Sequence, residues 1–168
     1  MKSNKYKNWL SVLDLKTCLL CRAQHGRVYL AEETIAPEPP LHIRCRCTIE
    51  WLTALYTGTA TSKGENGADW WLKWVGRLPD YYITSAEAEK HGYIPTLGNL
   101  SRVAPGKMLT KGPYANKNGH LPSAPGRLWY EADINYTGGY RGGERILFSN
   151  DGLIFVTYDH YQTFQVIV

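Results

Sequence analysis

The 168-residue sequence predicts an α+β fold, with N-terminal helices packed on a C-terminal antiparallel sheet. Three observations carry that reading. Short helical patterns come first, between residues 69 and 104. Alternating strand patterns come last, from Arg127 to Ile167, punctuated by glycine and asparagine turns. All four cysteines lie before residue 48, which sets a small module apart from the rest. The expected organisation is therefore a Cys-rich module over 1–56, a linker over 57–66 and a main domain over 67–168.

The opening MKSNKYKNWL is polar and unlike a signal peptide, and no apolar run approaches the ~18 residues a membrane span needs. Export by the general secretory route is not expected. Cys18-x-x-Cys21 and Cys45-x-Cys47 then form two close pairs separated by 23 residues, with His25 and His42 beside them. Two such pairs can complete a tetrahedral zinc shell. Cys18, Cys21, Cys45 and Cys47 are the simplest ligand set, with His25 or His42 as substitutes. Reduced or disulfide-linked structural cysteines are the competing reading, less favoured without an export signal, and a reactive role is the third. Four cysteine ligands leave no open position, so such a zinc is structural.

TGTATSKGENGA, residues 57–68, is small and polar and reads as a flexible connection. Asp69–Val75 follows as a short helix, pairing Trp70 with Trp74 and Trp71 with Val75, and its tryptophans read as packing. Thr84-Ser85-Ala86-Glu87 is a capping box that opens a helix, which Gly92 closes. A third short helix is expected from Asn99 to just before Pro105. His91 and His120 read as solvent-facing.

In the meander, Leu128, Tyr130, Ala132 and Ile134 fall on one face, and Arg127, Trp129, Glu131 and Asp133 on the other. A second run, 145–149, alternates again, and Asn150-Asp151-Gly152 turns the chain into 153–157 and a last strand over 162–167. An antiparallel sheet can keep one face wet, which is where Glu131 and Arg145 are expected. One meander thus gathers a carboxylate, two arginines and His160. These types can deprotonate a hydroxyl, protonate a leaving oxygen and hold a phosphate; equally, they can form cross-strand ion pairs on a solvated face. Bulk charge does not decide between these readings. Residues 1–77 carry 11 Lys+Arg against 7 Asp+Glu, whereas 78–168 carry 8 against 8. Any attraction for phosphate must come from local focusing by Arg141, Arg145, Lys107 and Lys117.

LPDYYIT (78–84), GNLSRVAPGK (98–107), WYEADINYTGGYR (129–141), ERILFSNDGLI (144–154) and DHYQTF (159–164) resemble the barnase-type microbial ribonucleases, in family order and spacing. The resemblance spans about residues 64–168. It implies cleavage of RNA without a metal, with Glu131 as general base, His160 as general acid, and Arg141 and Arg145 on the phosphate. Asp133 holds the arginines in that scheme, and Tyr161 stacks on a base. The loop Tyr114-Ala115-Asn116-Lys117-Asn118-Gly119 is expected to select guanine, and Lys107 also matches a family position. Two departures stand out. Asn118 replaces the carboxylate that accepts from guanine, and Ser85 replaces a phosphate-binding lysine. Arg127 reads as a structural ion pair outside the site.

LDLKTCLLCRAQHGRVY and PEPPLHIRCRC, about residues 10–52, are similar to the C-terminal end of Mu F-like phage minor head proteins. The two resemblances together imply a ribonuclease toxin, cytoplasmic as made and virion-associated or delivered into a target cell. An RNA substrate, a barstar-like acidic immunity protein and phage head or portal proteins are the expected partners, with no role for a membrane. The alternative is a phage-head structural or interaction protein with a zinc module and a weakened RNA-binding domain.

Overall fold

The computed structural model describes residues 1–168 and every side chain except that of Lys111. Its strands are β1 (Lys2–Ser11), β2 (Val28–Leu30), β3 (Cys47–Leu55), β4 (Tyr82–Thr84), β5 (Met108–Tyr114), β6 (Trp129–Asp133), β7 (Arg145–Ser149), β8 (Ile154–Thr157) and β9 (Gln165–Ile167). They form one sheet in the order β2-β1-β3-β9-β8-β7-β6-β5-β4. The helices are short: α1 (Leu19–Gln24), α2 (Ala68–Trp74), α3 (Ser85–Lys90) and α4 (Leu100–Val103). None of the described helices is long and apolar enough to cross a membrane.

The architecture is mixed α/β, with a large sheet and few helices, and two of its pairings are parallel. β3 runs parallel to β9, and β4 parallel to β5, while the β5-to-β9 meander is antiparallel. The β3–β9 pairing makes the first 55 residues an extension of the same sheet. The expected linker is not a free tether. Asp69, fully buried in the first turn of α2, accepts from the Gly58 and Ala60 amides at 2.7 and 3.0 Å and from Thr61 Oγ1 at 3.2 Å. A buried carboxylate needs such donors, and a Gly-Ala-Thr turn supplies them.

Register sorts the meander. Ala132, Ile146 and Val156 lie opposite one another and, with Ile134, Ile154, Ala60 and Ala68, form an apolar layer reached by α2. On the other face, Trp129, Leu147, Phe155 and Val166 pack with Tyr6, Val28, Leu52 and Ala54 from the N-terminal strands, and with Leu121 and Phe164. That cover explains a departure from expectation. The face carrying the charged residues is not wet: Glu131, Asp133 and Arg145 are 8%, 2% and 5% exposed. Three large apolar side chains alternate along the same face and have to be buried somewhere.

The helix signals hold at α3 and α4. Thr84 caps α3, Glu87 completes its capping box, and Asn99 immediately precedes α4. The tryptophan expectation fails in part. Trp74 is 65% exposed, and Trp71 carries the Arg77 guanidinium 4.9 Å from its ring centre. A helix this short turns only Ala68 and Asp69 fully inward.

Candidate active site

Three pieces of chain build the site: the β6–β7 hairpin, the loop 159–164 and the loop 114–121. In the hairpin, Glu131 lies opposite Leu147 and Asp133 opposite Arg145, so both carboxylates share one face with Arg145. Opposite Glu131, β5 has a register shift between Thr110 and Gly112, the signature of a β-bulge. Arg141 grips Asp133 with two hydrogen bonds, Nε to Oδ2 at 2.5 Å and Nη2 to Oδ1 at 2.6 Å. Asp133 in turn keeps the Arg141 guanidinium more firmly protonated than usual. Arg145 Nε approaches Asp133 Oδ1 to 3.0 Å as an ion pair without hydrogen-bond alignment. Its Nη1 donates to the Gly142 and Glu144 carbonyls at 2.7 and 2.8 Å. Asp133 therefore orients both guanidinium groups, a fork geometry suited to phosphate oxygens.

Loop 159–164 brings the imidazole and a phenol to that hairpin. Tyr161 donates its hydroxyl to Glu131 Oε2 at 2.5 Å. Burial, followed by this carboxylate, pushes the Tyr161 phenol well above its ordinary range, so it stays protonated and donates. His160 is exposed and its ring centre lies 5.1 Å from that of Tyr161. Gly143, between the two arginines, makes room for it: a Cβ there would lie 2.9 Å from His160 Cβ. Glu131, Arg141, Arg145 and His160 are thus joined through Asp133, Gly143 and Tyr161 at one end of the sheet.

His160 and Tyr161 both have left-handed backbones, φ +56° and +67°, a conformation disfavoured for residues with a Cβ. Asp159 holds it. Its carboxylate accepts from the Gln162 and Thr163 amides at 3.1 and 2.9 Å and from Thr157 Oγ1 at 2.9 Å, and Thr157 Oγ1 accepts from the Tyr161 amide at 2.9 Å. Burial pushes the Asp159 carboxyl up, but the Thr163 hydroxyl, which donates to Oδ2 at 2.5 Å, and then these other donors outweigh it and hold the group below its ordinary value. Asp159 and Thr157 as loop holders were missed in the sequence. An Asp flanked at short range by threonines on both sides, 157 and 163, is the local side-chain-to-backbone signal that could have found them.

The base-selecting candidates divide. Tyr114 stacks on Tyr161 with ring centres 5.7 Å apart and planes 10° off parallel. Asn116 (φ +45°) spends its amide on the loop itself, donating to Leu121 O at 2.8 Å and accepting from Leu121 N at 3.1 Å. Lys117 and Asn118 are exposed at the tip. Lys107 lies elsewhere, donating to the Asp80 carbonyl at 3.1 Å. Arg127 pairs with Asp151 at 2.9 Å, as a structural ion pair should. His120 is a correction: it is 9% exposed, edge-on to Phe164 with ring centres 6.1 Å apart. Its loop is covered by Val28, whose amide donates to His120 O at 2.7 Å.

A second cluster lies in the N-terminal unit. Cys18, Cys21 and His42 form one group with ligand atoms mutually within 4.8 Å, and Cys21, Cys45 and Cys47 another. His25 is not among them, because its Nδ1 accepts from the Ser11 amide at 3.0 Å.

A carboxylate, an imidazole and two oriented arginines at one sheet end are the groups that acid–base chemistry on a phosphodiester requires. The chain belongs to the ribonuclease family, whose sequence profile matches residues 73–168. It is similar to a ribonuclease of Bacillus intermedius, 43% identical over 117 residues covering 70% of this chain and 72% of the relative. A Bacillus pumilus ribonuclease is 40% identical over 134 residues, covering 80% of each chain. A Heyndrickxia coagulans ribonuclease is 48% identical over 97 residues, covering 58% of this chain and 88% of the relative. The protein is an endoribonuclease.

Proposed function

We propose that this chain cleaves single-stranded RNA through the substrate's own 2′-hydroxyl. Glu131 takes the hydroxyl proton as it attacks phosphorus, and His160 protonates the departing 5′-oxygen. The 2′,3′-cyclic phosphate that results is then hydrolysed with the two roles reversed. Arg141 and Arg145 hold the phosphate oxygens as negative charge builds, and Asp133 orients them. No step draws on a metal; zinc in the Cys-rich segment is structural. For Glu131 to act as the base, substrate entry moves the Tyr161 phenol off its Oε2.

Guanine preference is weakened in this reading, because Asn118 offers one neutral acceptor where the resembled loop has a carboxylate. The biological role we infer is that of a toxin carried with a phage head component and restrained in its own cell by an acidic immunity protein. The observation that carries the reading is the joining of Glu131, Arg141, Arg145 and His160 through Asp133, Gly143 and Tyr161. The test is incubation of the full chain with RNA in EDTA, followed by analysis of fragment ends. Cyclic-phosphate ends that vanish in Glu131→Ala and His160→Ala support it. Intact RNA at high protein concentration, or cleavage indifferent to both substitutions, sinks it.

A further inference from the structure

The Cys/His cluster lies in the unit that presses on the loop carrying His160. We propose that Cys18, Cys21, His42 and Cys45 bind one zinc-like divalent cation, and that this ion braces the N-terminal unit against loop 159–164.

The donor set is favourable for such an ion. His42 Nε2 lies 3.2 Å from the Sγ atoms of both Cys18 and Cys21, and Cys21 Sγ lies 3.6 Å from Cys45 Sγ. A tetrahedral zinc with Zn–S near 2.3 Å sets neighbouring sulfurs about 3.8 Å apart, close to the Cys21–Cys45 spacing; Cys45 lies outside the group of Cys18, Cys21 and His42 and has to swing toward them to complete the shell. His42 Nδ1 lies 2.8 Å from the Ile43 carbonyl. A proton there leaves the Nε2 lone pair facing the sulfurs, the outer-shell device that fixes ligating histidines. Cys47 groups with Cys21 and Cys45 but not with Cys18 and His42, and its Sγ meets Ser11 Oγ at 3.2 Å, a hydroxyl that also donates to Cys21 O at 2.7 Å. This places Cys47 beside the ion, and His42 in the position that a four-cysteine set would give it.

The brace follows from the chain path. Cys21 sits in α1, and the helix runs directly into the His25-Gly26 corner. Gly26 (φ +79°) is tied to β1 by its amide, which donates to Trp9 O at 2.9 Å. A Cβ on Gly26 would lie 1.7 Å from the Gln162 carbonyl oxygen, so only glycine allows the corner to close on the loop that bears His160 and Tyr161. One step further along, Val28 joins Phe164 and Leu121 in a single apolar cluster. Both loops of the active site therefore rest on a segment whose fold the cation would fix.

The test uses the full chain, with metal content measured after purification without chelator and with cobalt as the spectroscopic probe. The expected result is one ion per chain, with cobalt–thiolate absorption lost in His42→Ala and kept in Cys47→Ser. Removing the ion is expected to speed amide exchange at 159–164 on the order of tenfold. Gly26→Ala should do the same while keeping its metal. Metal well below one per chain, loss in Cys47→Ser with retention in His42→Ala, or exchange at 159–164 indifferent to the ion overturns the proposal. A fall in turnover on the order of tenfold is also expected, and this readout alone rests on the endoribonuclease mechanism above. Ion-dependent exchange in a chain that never cleaves RNA would sink that mechanism and leave the brace standing.

Discussion

Two regions of the sheet are built by different rules. In β6–β8 every second residue repeats a face, so Trp129, Leu147 and Phe155 point one way and Ala132, Ile146 and Val156 the other. The same register sets Glu131 and Asp133 beside Arg145 without help from distant chain. β1 shows no such order. It buries Ser3, Tyr6, Asn8, Trp9 and Ser11, with a register shift between Lys2 and Lys7, and Asn8 Oδ1 and Trp9 Nε1 lie buried without a hydrogen-bond partner among the described residues. Glu131, Asp133 and Arg145 sit where strand register holds them, whereas Arg141 and His160 come from loops. The N-terminal strands supply cover, and the loops between the two regions carry the adjustable parts.

The sharpest test of that division is catalytic. Glu131→Ala and His160→Ala should each lower the rate of RNA cleavage by ~10²–10⁴ in steady-state assays. Their stabilities should differ, because Glu131 is a buried strand residue and His160 an exposed loop residue. Equal unfolding midpoints for wild type and His160→Ala, with normal activity, would remove His160 from the mechanism. Asp133→Ala comes next. It leaves Arg145 buried beside an empty position, and breaking a buried ion network of this kind costs ~3–5 kcal/mol. Denaturant unfolding reads the loss, and cleavage should fall with it as the guanidinium groups lose their orienting carboxylate. A change below ~1 kcal/mol would show that the arginines find other partners.

Whether the N-terminal strands belong to the same cooperative unit is a question of core continuity. Leu52 in β3 and Leu147 in β7 are both fully buried in one cluster. Either leucine truncated to alanine should cost ~2–5 kcal/mol and shift a single unfolding transition. Two separated transitions, with Leu52→Ala moving only the first, would break the comparison and restore an independent module with a true linker.

The meander, α3 and α4 were legible because each carries a local signal: period-two alternation, a capping box, an Asn before a helix. β1 was not, since KSNKYKNWLS is polar and its burial comes from neighbours far along the chain. The candidate site residues came from the resemblance carried by 129–141 and 159–164. Their burial was not legible, because apolar cover from residues 1–55 exists only in three dimensions. Lys107 and Asn116 show the limit of position matching: one is spent on Asp80, the other on closing its own loop.

His120 offers the finest probe of the junction between the regions. Burial lowers its pKa below the usual 6.5, Arg27 and His25 push in the same direction, and the Tyr161 and Ala23 carbonyls oppose them. The folded state therefore holds this imidazole neutral while the unfolded chain still takes up a proton. The contribution to stability is complete above pH ~6.5 and is lost as pH falls through the lowered folded value. Unfolding measured from pH 7.5 downward should show wild type losing stability through this window. His120→Gln, which cannot titrate, should lose less over the same range. The expected difference is small, of the order of 1.4 kcal/mol for each pKa unit of displacement. Identical pH profiles would mean that the imidazole is as free to protonate in the folded chain as in water, and that the N-terminal strands do not seal the loop beside it.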